Sequence, residues 1–218
     1  MDLGYGGLGP IFADGSFEYV PIPENAKKVS PRSLMFSQIS ARRGGFVQQF
    51  VPARYSGGPA HYDPEFETFT YGDPTKYKRG QLLRLTRGDL LVFYAGLRAL
   101  SQRRGSRLYL IGYFTIEAVH HCDAPYSWPP PSLQHLWANA HFRRNACDPG
   151  LVVVEDAPTA SRLFKIAIPL SDEQQNVLPG MQKRLGIYGS VKRAGAGRWI
   201  PATHITRFEE WLHLLESD

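Results

Sequence analysis

The chain has 218 residues and a formal net charge of +5, with 43% hydrophobic and 21% charged residues, a composition that excludes a largely disordered protein. No stretch approaches the roughly 18 consecutive apolar residues of a membrane-spanning helix. The start, MDLGYGGLGP, lacks the pattern of a signal or transit peptide, and two cysteines are too few for a disulfide framework. We therefore expect a single cytoplasmic domain over residues 1–218 with no membrane partner.

The first 80 residues predict one short strand and one long loop. Residues 17–20 lie between an Asp-Gly turn and a Pro-Ile-Pro stop, which favours an edge strand. In such a strand Phe17 and Tyr19 share one face and Glu18 lies on the other. Residues 52–80 are rich in Gly, Pro, Asp and Tyr, so they predict an ordered loop with little regular structure.

The middle of the chain predicts a pair of buried antiparallel strands. An Arg-Gly-Asp turn at residues 87–89 precedes the apolar run 90–94, and a basic connector leads to a second apolar run at 108–116. This pattern is typical of the core of a small barrel. Tyr94 precedes an Ala-Gly pair and Tyr113 follows a glycine, so we expect both rings at the barrel mouth.

The last third of the chain predicts two further strands and two helices. A short helix and two strands are predicted at residues 132–140, 151–155 and 163–169. Thr206 and Glu209 have the spacing of a capping box. The apolar face of the closing helix is formed by Phe208, Trp211, Leu212 and Leu215. That face predicts a helix packed on the barrel.

His61 and Asp63 are candidates for chemistry in the long loop. Pro64 restricts Asp63 to extended geometry, so the two side chains can point the same way as an acid/base pair or as metal ligands. Glu18 is a candidate electrostatic partner. No nucleophile or third ligand is apparent nearby, and a loop-stabilising Asx turn is the alternative interpretation.

Potential metal ligands also follow the second core strand. They are His120, His121, Cys122, Asp123, His135, His141 and Cys147. Their spacing matches no closed zinc pattern, so we expect no structural metal and no cofactor. The glycine-rich stretch 188–199 lacks a P-loop ending and is better interpreted as a flexible turn.

Basic residues occur in clusters that suit a phosphate backbone or a nucleotide, although a solvated surface is the alternative. The clusters lie at residues 42–43, 76–79, 103–107, 143–144, 183–184 and 192–198. In the stretch 139–144, Asn139 can identify a base edge, while Arg143 and Arg144 can hold phosphate.

Several blocks of the chain resemble the nucleotide modification associated domain 3 family. The blocks are GGLGPIFADGSFEYVPIPE, AHYDPEFETFTYGD, RGQLLRLTRGDLLVFYAGL, LYLIGYFTIEAV, NAHF and SRLFKIAIPLS. The resemblance implies a role in prokaryotic or phage systems that make, read or process modified nucleotides. The Gly-Asp turn and the Gly-Tyr strand also resemble PUA-like barrels, which commonly hold a flipped base in an aromatic pocket.

The sequence thus predicts an α+β, mostly β domain with a PUA-like barrel and a C-terminal amphipathic helix. We expect it to recognise or process a modified base in DNA or RNA, or a free nucleotide. The candidate nucleotide-binding residues are Asp14, Tyr19, Tyr62, Tyr94, Tyr113, Asn139, Arg143 and Arg144. One alternative is a nucleotide enzyme with His61 and Asp63 as its acid/base pair, and another is an interaction protein with a basic surface.

Overall fold

The computed structural model describes residues 8–100, 107–122, 129, 131–145, 148–157, 159–191 and 197–216. The predicted basic connector at residues 101–106, Asp123, Cys147 and the glycine-rich residues 192–196 lie outside the described residues. The strands are β1 (Gly9–Ile11), β2 (Ile22–Pro23), β3 (Ala60–His61), β4 (Thr70–Asp73), β5 (Leu90–Ala99), β6 (Arg107–Cys122), β7 (Leu151–Asp156) and β8 (Arg162–Pro169). The α-helices are α1 (Ala53–Ser56), α2 (Lys76–Leu82), α3 (Pro179–Leu185) and α4 (Ala202–Glu216). Short 3₁₀ helices cover Ala26–Lys28, Phe36–Gln38, Val47–Phe50 and Pro131–Ala138.

The architecture is α+β, with a mixed six-stranded sheet and a separate two-stranded sheet. The main sheet has the order β1-β5-β6-β7-β4, and β8 also pairs with β6. The predicted pair is confirmed: β5 and β6 are antiparallel, with Leu90 opposite Thr115 and Leu97 opposite Arg107. β6 pairs with β8 near its beginning and with β7 towards its end, so this one strand organises most of the sheet.

The closed PUA-like barrel is not confirmed. β1 and β4 lie at opposite ends of the strand path, and the described strands do not pair across those ends. Among the described strands, β1 pairs with β5, in parallel, and β4 pairs with β7. The described sheet is therefore open.

Aromatic side chains pack against one another within the main hydrophobic core. Phe66, Phe93 and Phe114 meet edge to face, with ring centroids 4.6–5.7 Å apart. On α4, Phe208 and Leu212 are buried, as the apolar face predicted. The helix begins at Ala202, before the predicted capping residue, so the predicted capping box is wrong.

Two predictions for the first 80 residues are wrong. Residues 52–80 are not a long irregular loop, because they contain α1, β3, β4 and part of α2. Residues 17–20 do not form a regular strand, although Phe17 makes an isolated bridge to Ile11. All four side chains of this segment are buried, so it has no solvent face and alternation does not describe it.

Among the described residues, no helix is both long enough and apolar enough to cross a membrane.

Candidate functional site

Seven polar residues from three parts of the chain meet beneath the two-stranded sheet. This polar cluster consists of Glu24, His61, Asp63, Asn139, His141, Arg144 and Asp148. The β2–β3 pairing places Ile22 opposite His61, which brings the residue that follows β2 next to His61. The segment between the last 3₁₀ helix and β7 supplies the other half. Side-chain exposure is only 3% for Glu24 and rises to 12% for His61.

A carboxylate holds each histidine of the polar cluster at Nδ1. Glu24 Oε2 lies 3.1 Å from His61 Nδ1, and Asp148 Oδ2 lies 2.7 Å from His141 Nδ1. The two rings meet edge to face, with centroids 4.8 Å apart. Because an ionised carboxylate only accepts hydrogen bonds, Nδ1 carries the proton in the neutral form of each ring, and Nε2 is then the nitrogen with a lone pair.

Both Nε2 atoms face the Asp63 carboxylate. Asp63 Oδ2 lies 3.5 Å from His141 Nε2 and 3.9 Å from His61 Nε2. The other oxygen, Oδ1, accepts hydrogen bonds from the Gly72 amide and from Asn139 Nδ2, each at 3.0 Å. These bonds fix the rotamer of Asp63 and direct Oδ2 towards the imidazoles.

Asn139 links Asp63 and His141 through hydrogen bonds inside the polar cluster. Its amide group donates to Asp63 and also to Thr70 Oγ1, at 3.2 Å. Its side-chain oxygen accepts from the backbone amide of His141 at 3.0 Å. Asn139 is fully buried, so it orients Asp63 and His141 and presents no edge to solvent.

Arg144 bridges the two carboxylates that hold the histidines. Its Nε and Nη2 donate to the two oxygens of Glu24, each at 3.0 Å, and Nη1 donates to Asp148. The guanidinium also lies 2.9 Å from His141 Nδ1 and 3.2 Å from His61 Nδ1, as part of the same packing. Lys28 forms a further ion pair with Asp148. A buried network of this kind is costly unless every charge is matched.

These contacts shift the pKa values of the polar cluster. Burial raises the pKa of Glu24, but hydrogen bonds and charge from His61 and Arg144 outweigh it and bring the pKa to about 2. The pKa of Asp148 is lowered well below its usual range, because its bonds to His141 and Lys28 likewise outweigh burial. Burial lowers the pKa of His141, but Asp148 and Asp63 reverse this and the net pKa is raised.

The arrangement can support two kinds of chemistry. An imidazole held at Nδ1 by a carboxylate presents Nε2 as a proton acceptor, as in catalytic triads. The ligand atoms of His61, Asp63 and His141 also all lie within 4.8 Å of one another, a grouping that can hold a metal ion. His141 is thus the third partner that the sequence around His61 and Asp63 did not supply.

The comparisons with known proteins give one match. The profile of the family described as nucleotide modification associated domain 3 matches residues 1–210. The chain belongs to this family. The resemblance noted from the sequence is confirmed, and membership implies involvement in a nucleotide modification system. No curated protein and no solved structure matches the chain.

In this family member, the tyrosines predicted to stack on a base lie in or against the core. Tyr19 is buried, donates to the backbone oxygen of Asp63 at 3.1 Å, and lies 6.0 Å from the ring of Tyr62. Tyr113 is buried against Phe164, and Tyr94 is half-buried. The buried rings border the polar cluster or support the sheet, and this placement does not favour an open aromatic groove.

Glu18 and Asp14 lie apart from the polar cluster. Glu18 is buried and accepts a hydrogen bond from the Arg42 amide at 2.9 Å, while burial raises the pKa of its carboxyl. Asp14 is exposed, caps a turn through the Ser16 amide at 3.0 Å, and pairs with Arg43. Glu24 therefore occupies the position beside His61 that was expected for Glu18.

Arg143 lines an open cavity of about 490 Å³. The cavity is lined by Arg32, Gln134, His135, Trp137, Ala138 and Arg143. The Arg32 guanidinium lies 5.2 Å from the centroid of Trp137, and Arg143 Nε donates to the backbone of Ala138 at 2.9 Å. Arg144 is buried in the ion pairs described above. The two adjacent arginines therefore have different surroundings, although both were predicted to hold phosphate.

Sequence reasoning did not assign Glu24, His141 and Asp148 to the site. Two signals could have identified the first two. Glu24 ends the block GGLGPIFADGSFEYVPIPE, and His141 belongs to the block NAHF together with Asn139. Both blocks carry the family resemblance. A polar residue in such a block indicates a functional role more strongly than an apolar residue, which usually serves packing. No comparable signal marks Asp148.

Proposed function

We propose that this protein is an enzyme of a nucleotide modification system and that the polar cluster is its catalytic centre. The observation that supports this most is the pair of carboxylate-held imidazoles whose Nε2 atoms converge on Asp63 Oδ2. Imidazoles whose tautomer is fixed by a carboxylate at Nδ1 are the usual arrangement of a general acid/base. Its substrate is a nucleotide, free or within DNA or RNA, and it acts in the cytoplasm.

His61 is the general acid/base in this proposal. Its side chain is 12% exposed, against 5% for His141 and 3% for Asp63, so of these three groups it is the one nearest to solvent. Glu24 fixes its tautomer and stabilises the imidazolium that forms when Nε2 takes a proton. His141 is 5% exposed, and its Nε2 faces Asp63 Oδ2, as the Nε2 of His61 does. Asn139 and Arg144 position these groups.

The cavity beside Arg143 is the proposed binding surface for the nucleotide. Trp137 offers a ring on which a base can stack, and Arg32 and Arg143 offer charge for phosphate. The backbone of Arg144 accepts a hydrogen bond from Arg32 at 3.1 Å. One chain segment thus connects the cavity to the polar cluster.

The test is a mass-spectrometric assay of turnover. Purified protein is incubated with ribonucleotides, deoxynucleotides and oligonucleotides that contain unmodified, methylated and hydroxymethylated bases, with divalent cations present, and the products are identified by mass. We expect a mass change in at least one substrate class, with a loss of at least about a hundredfold in rate for His61→Ala. His120→Ala is the matched control, because His120 also pairs with a carboxylate, Glu155, but lies outside the polar cluster.

A second candidate function is recognition of a modified base without turnover, which the Trp137 cavity favours. Binding of a modified oligonucleotide with no mass change in any substrate would support this alternative. Equal turnover by wild type and His61→Ala would place the chemistry elsewhere in the molecule. Mass spectrometry of nucleotides that copurify with the protein narrows the substrate panel before the assay.

A further inference from the structure

Three acceptor atoms converge inside the polar cluster. When both rings are neutral, with Nδ1 protonated towards Glu24 and Asp148, the Nε2 atoms of His61 and His141 present lone pairs, and Asp63 Oδ2 presents a third. Lone pairs directed at each other repel in a buried site unless a cation or a proton lies between them. The separations of 3.5 and 3.9 Å are at or beyond the limit for an ordinary hydrogen bond.

The charges around Asp63 point to the same position. Arg144 pairs with both Glu24 and Asp148, and Lys28 pairs with Asp148. Within the described part of the chain, Asp63 has no ion pair with a lysine or arginine; its partners are an amide side chain, a backbone amide and the two histidines. Asp63 is therefore the carboxylate of the polar cluster whose charge is balanced by the histidines alone, or by a cation bound between it and them.

The spacing of the three atoms is close to what a metal ion requires. Ligand bonds of about 2.0–2.2 Å to nitrogen and oxygen imply ligand atoms about 3.0–3.5 Å apart in octahedral or tetrahedral geometry. Asp63 Oδ2 and His141 Nε2 already match this separation at 3.5 Å. His61 Nε2 lies 3.9 Å from Asp63 Oδ2, and all three ligand atoms lie within 4.8 Å of one another, so the His61 ring, the most exposed of the three side chains, must move inward to complete the set.

We propose that His61 Nε2, His141 Nε2 and Asp63 Oδ2 bind a divalent first-row transition metal ion. Two imidazoles and one carboxylate on one face of the ion form the ligand set typical of Fe(II), and Zn²⁺ also accepts it. Glu24 and Asp148 are then the outer carboxylates that accept the Nδ1 protons of metal-bound histidines. Asn139 and Gly72 orient the carboxylate ligand.

This inference deepens the proposed function, on which the catalytic role of the metal rests. A three-ligand site leaves positions for water or for an oxygen atom of the nucleotide. Metal coordination there lowers the pKa of bound water or polarises the substrate. In the metal-bound form the Nε2 atoms of His61 and His141 would be ligands, so metal-bound hydroxide, in place of His61, would supply the base or nucleophile.

The test measures metal rather than turnover. The full chain is purified without chelator, its metal content is determined by inductively coupled plasma mass spectrometry, and chelated protein is titrated with Zn²⁺, Mn²⁺, Co²⁺ and, anaerobically, Fe²⁺. We expect about one ion per chain, and with Co²⁺ a visible absorption band from nitrogen and oxygen ligands. Asp63→Asn and His141→Ala abolish binding, Glu24→Gln weakens it about 10- to 100-fold, and His120→Ala binds like wild type.

Circular dichroism shows whether each variant is folded, and His61→Ala, at the most exposed ligand, replaces any variant that is not. Folded wild type that binds none of the four ions at one per chain overturns the proposal, as does binding that survives both Asp63→Asn and His61→Ala. Metal binding without turnover of any nucleotide contradicts only the proposed function. Turnover that persists in chelated protein contradicts only the metal site.

Discussion

Asp156 is a buried carboxylate outside the polar cluster, at the last position of β7. It is 3% exposed, and neither of its oxygens accepts a well-formed hydrogen bond. Burial raises the pKa of Asp156 to about 7, the nearby Ser161 hydroxyl offsets this only in part, and the charge of Glu155 adds to it. The carboxyl is therefore neutral in mildly acidic solution and becomes charged inside the protein as the pH rises.

The first prediction is that Asp156→Asn stabilises the protein at high pH. The pKa of Asp156 is higher in the folded protein than its ordinary value of 3.8. The protonated carboxyl therefore contributes stability that is complete below pH 3.8 and is lost as the pH rises through about 7. A shift of this size is worth at most about 4 kcal/mol. We expect Asn to raise the free energy of unfolding by about 1–3 kcal/mol at pH 8 and by less at pH 5.

Urea denaturation at the two pH values measures this difference. Glu173→Gln is the control, because Glu173 is half exposed and pairs only at the surface with Arg107. A benefit of Asp156→Asn that is the same at pH 5 and pH 8 would show that the carboxyl does not titrate between them.

At the scale of an element, β4 is shaped by its close approach to the polar cluster. A Cβ atom on Gly72 would lie 2.9 Å from the His141 ring, 3.2 Å from Leu151 and 3.3 Å from the Asn139 side-chain oxygen. The Gly72 amide also donates to Asp63. Glycine at position 72 thus lets the strand backbone donate to Asp63 while the His141 ring packs directly against the same backbone.

The second prediction is that Gly72→Ala disturbs the polar cluster more than the sheet. The methyl group displaces His141 and Asn139, so we expect a loss of about 1–3 kcal/mol in unfolding free energy and metal binding weakened at least about tenfold. Thermal denaturation and Co²⁺ titration measure the two effects.

Gly80→Ala is the matched control, since a Cβ on this α2 glycine meets nothing within 4 Å. It should stabilise the protein by about 0.5–1 kcal/mol and leave metal binding unchanged. Wild-type metal affinity in Gly72→Ala would mean that the close approach has no role in the cluster.

At the scale of the whole molecule, the chain carries a net charge of +5, and two of its arginines, Arg32 and Arg143, line the Trp137 cavity. Arg144 does not belong to this surface, because its charge is matched by Glu24 and Asp148. A test of phosphate binding must therefore pair Arg143 with Arg32 and spare Arg144.

The third prediction is that Arg32→Ala combined with Arg143→Ala weakens nucleic-acid binding about equally across sequences. Loss of two phosphate contacts should reduce the slope of log affinity against log salt concentration by about two. Fluorescence anisotropy with single- and double-stranded oligonucleotides measures the slope. Arg207→Ala, an exposed change on α4, serves as control. An unchanged slope in the double variant would exclude the cavity as a phosphate-binding surface.

The sequence by itself determined the elements whose signal is local. The apolar runs of β5 and β6 predicted their pairing, because a strand with both faces buried must be hydrophobic along its length. The spacing of Phe208 and Leu212 predicted the buried face of α4, because a helix repeats every 3.6 residues. His61 and Asp63, two residues apart, were likewise visible as a pair.

Only the tertiary structure decided what joins that pair. Glu24 and Arg144 are 120 residues apart and His61 and Arg144 are 83 apart, yet all three are in contact. Spacing along the chain reports only side chains on one element, whereas this site is formed where three segments pack together. Only the tertiary structure also decided that the described sheet is open, because whether edge strands meet depends on how the whole sheet twists and is covered.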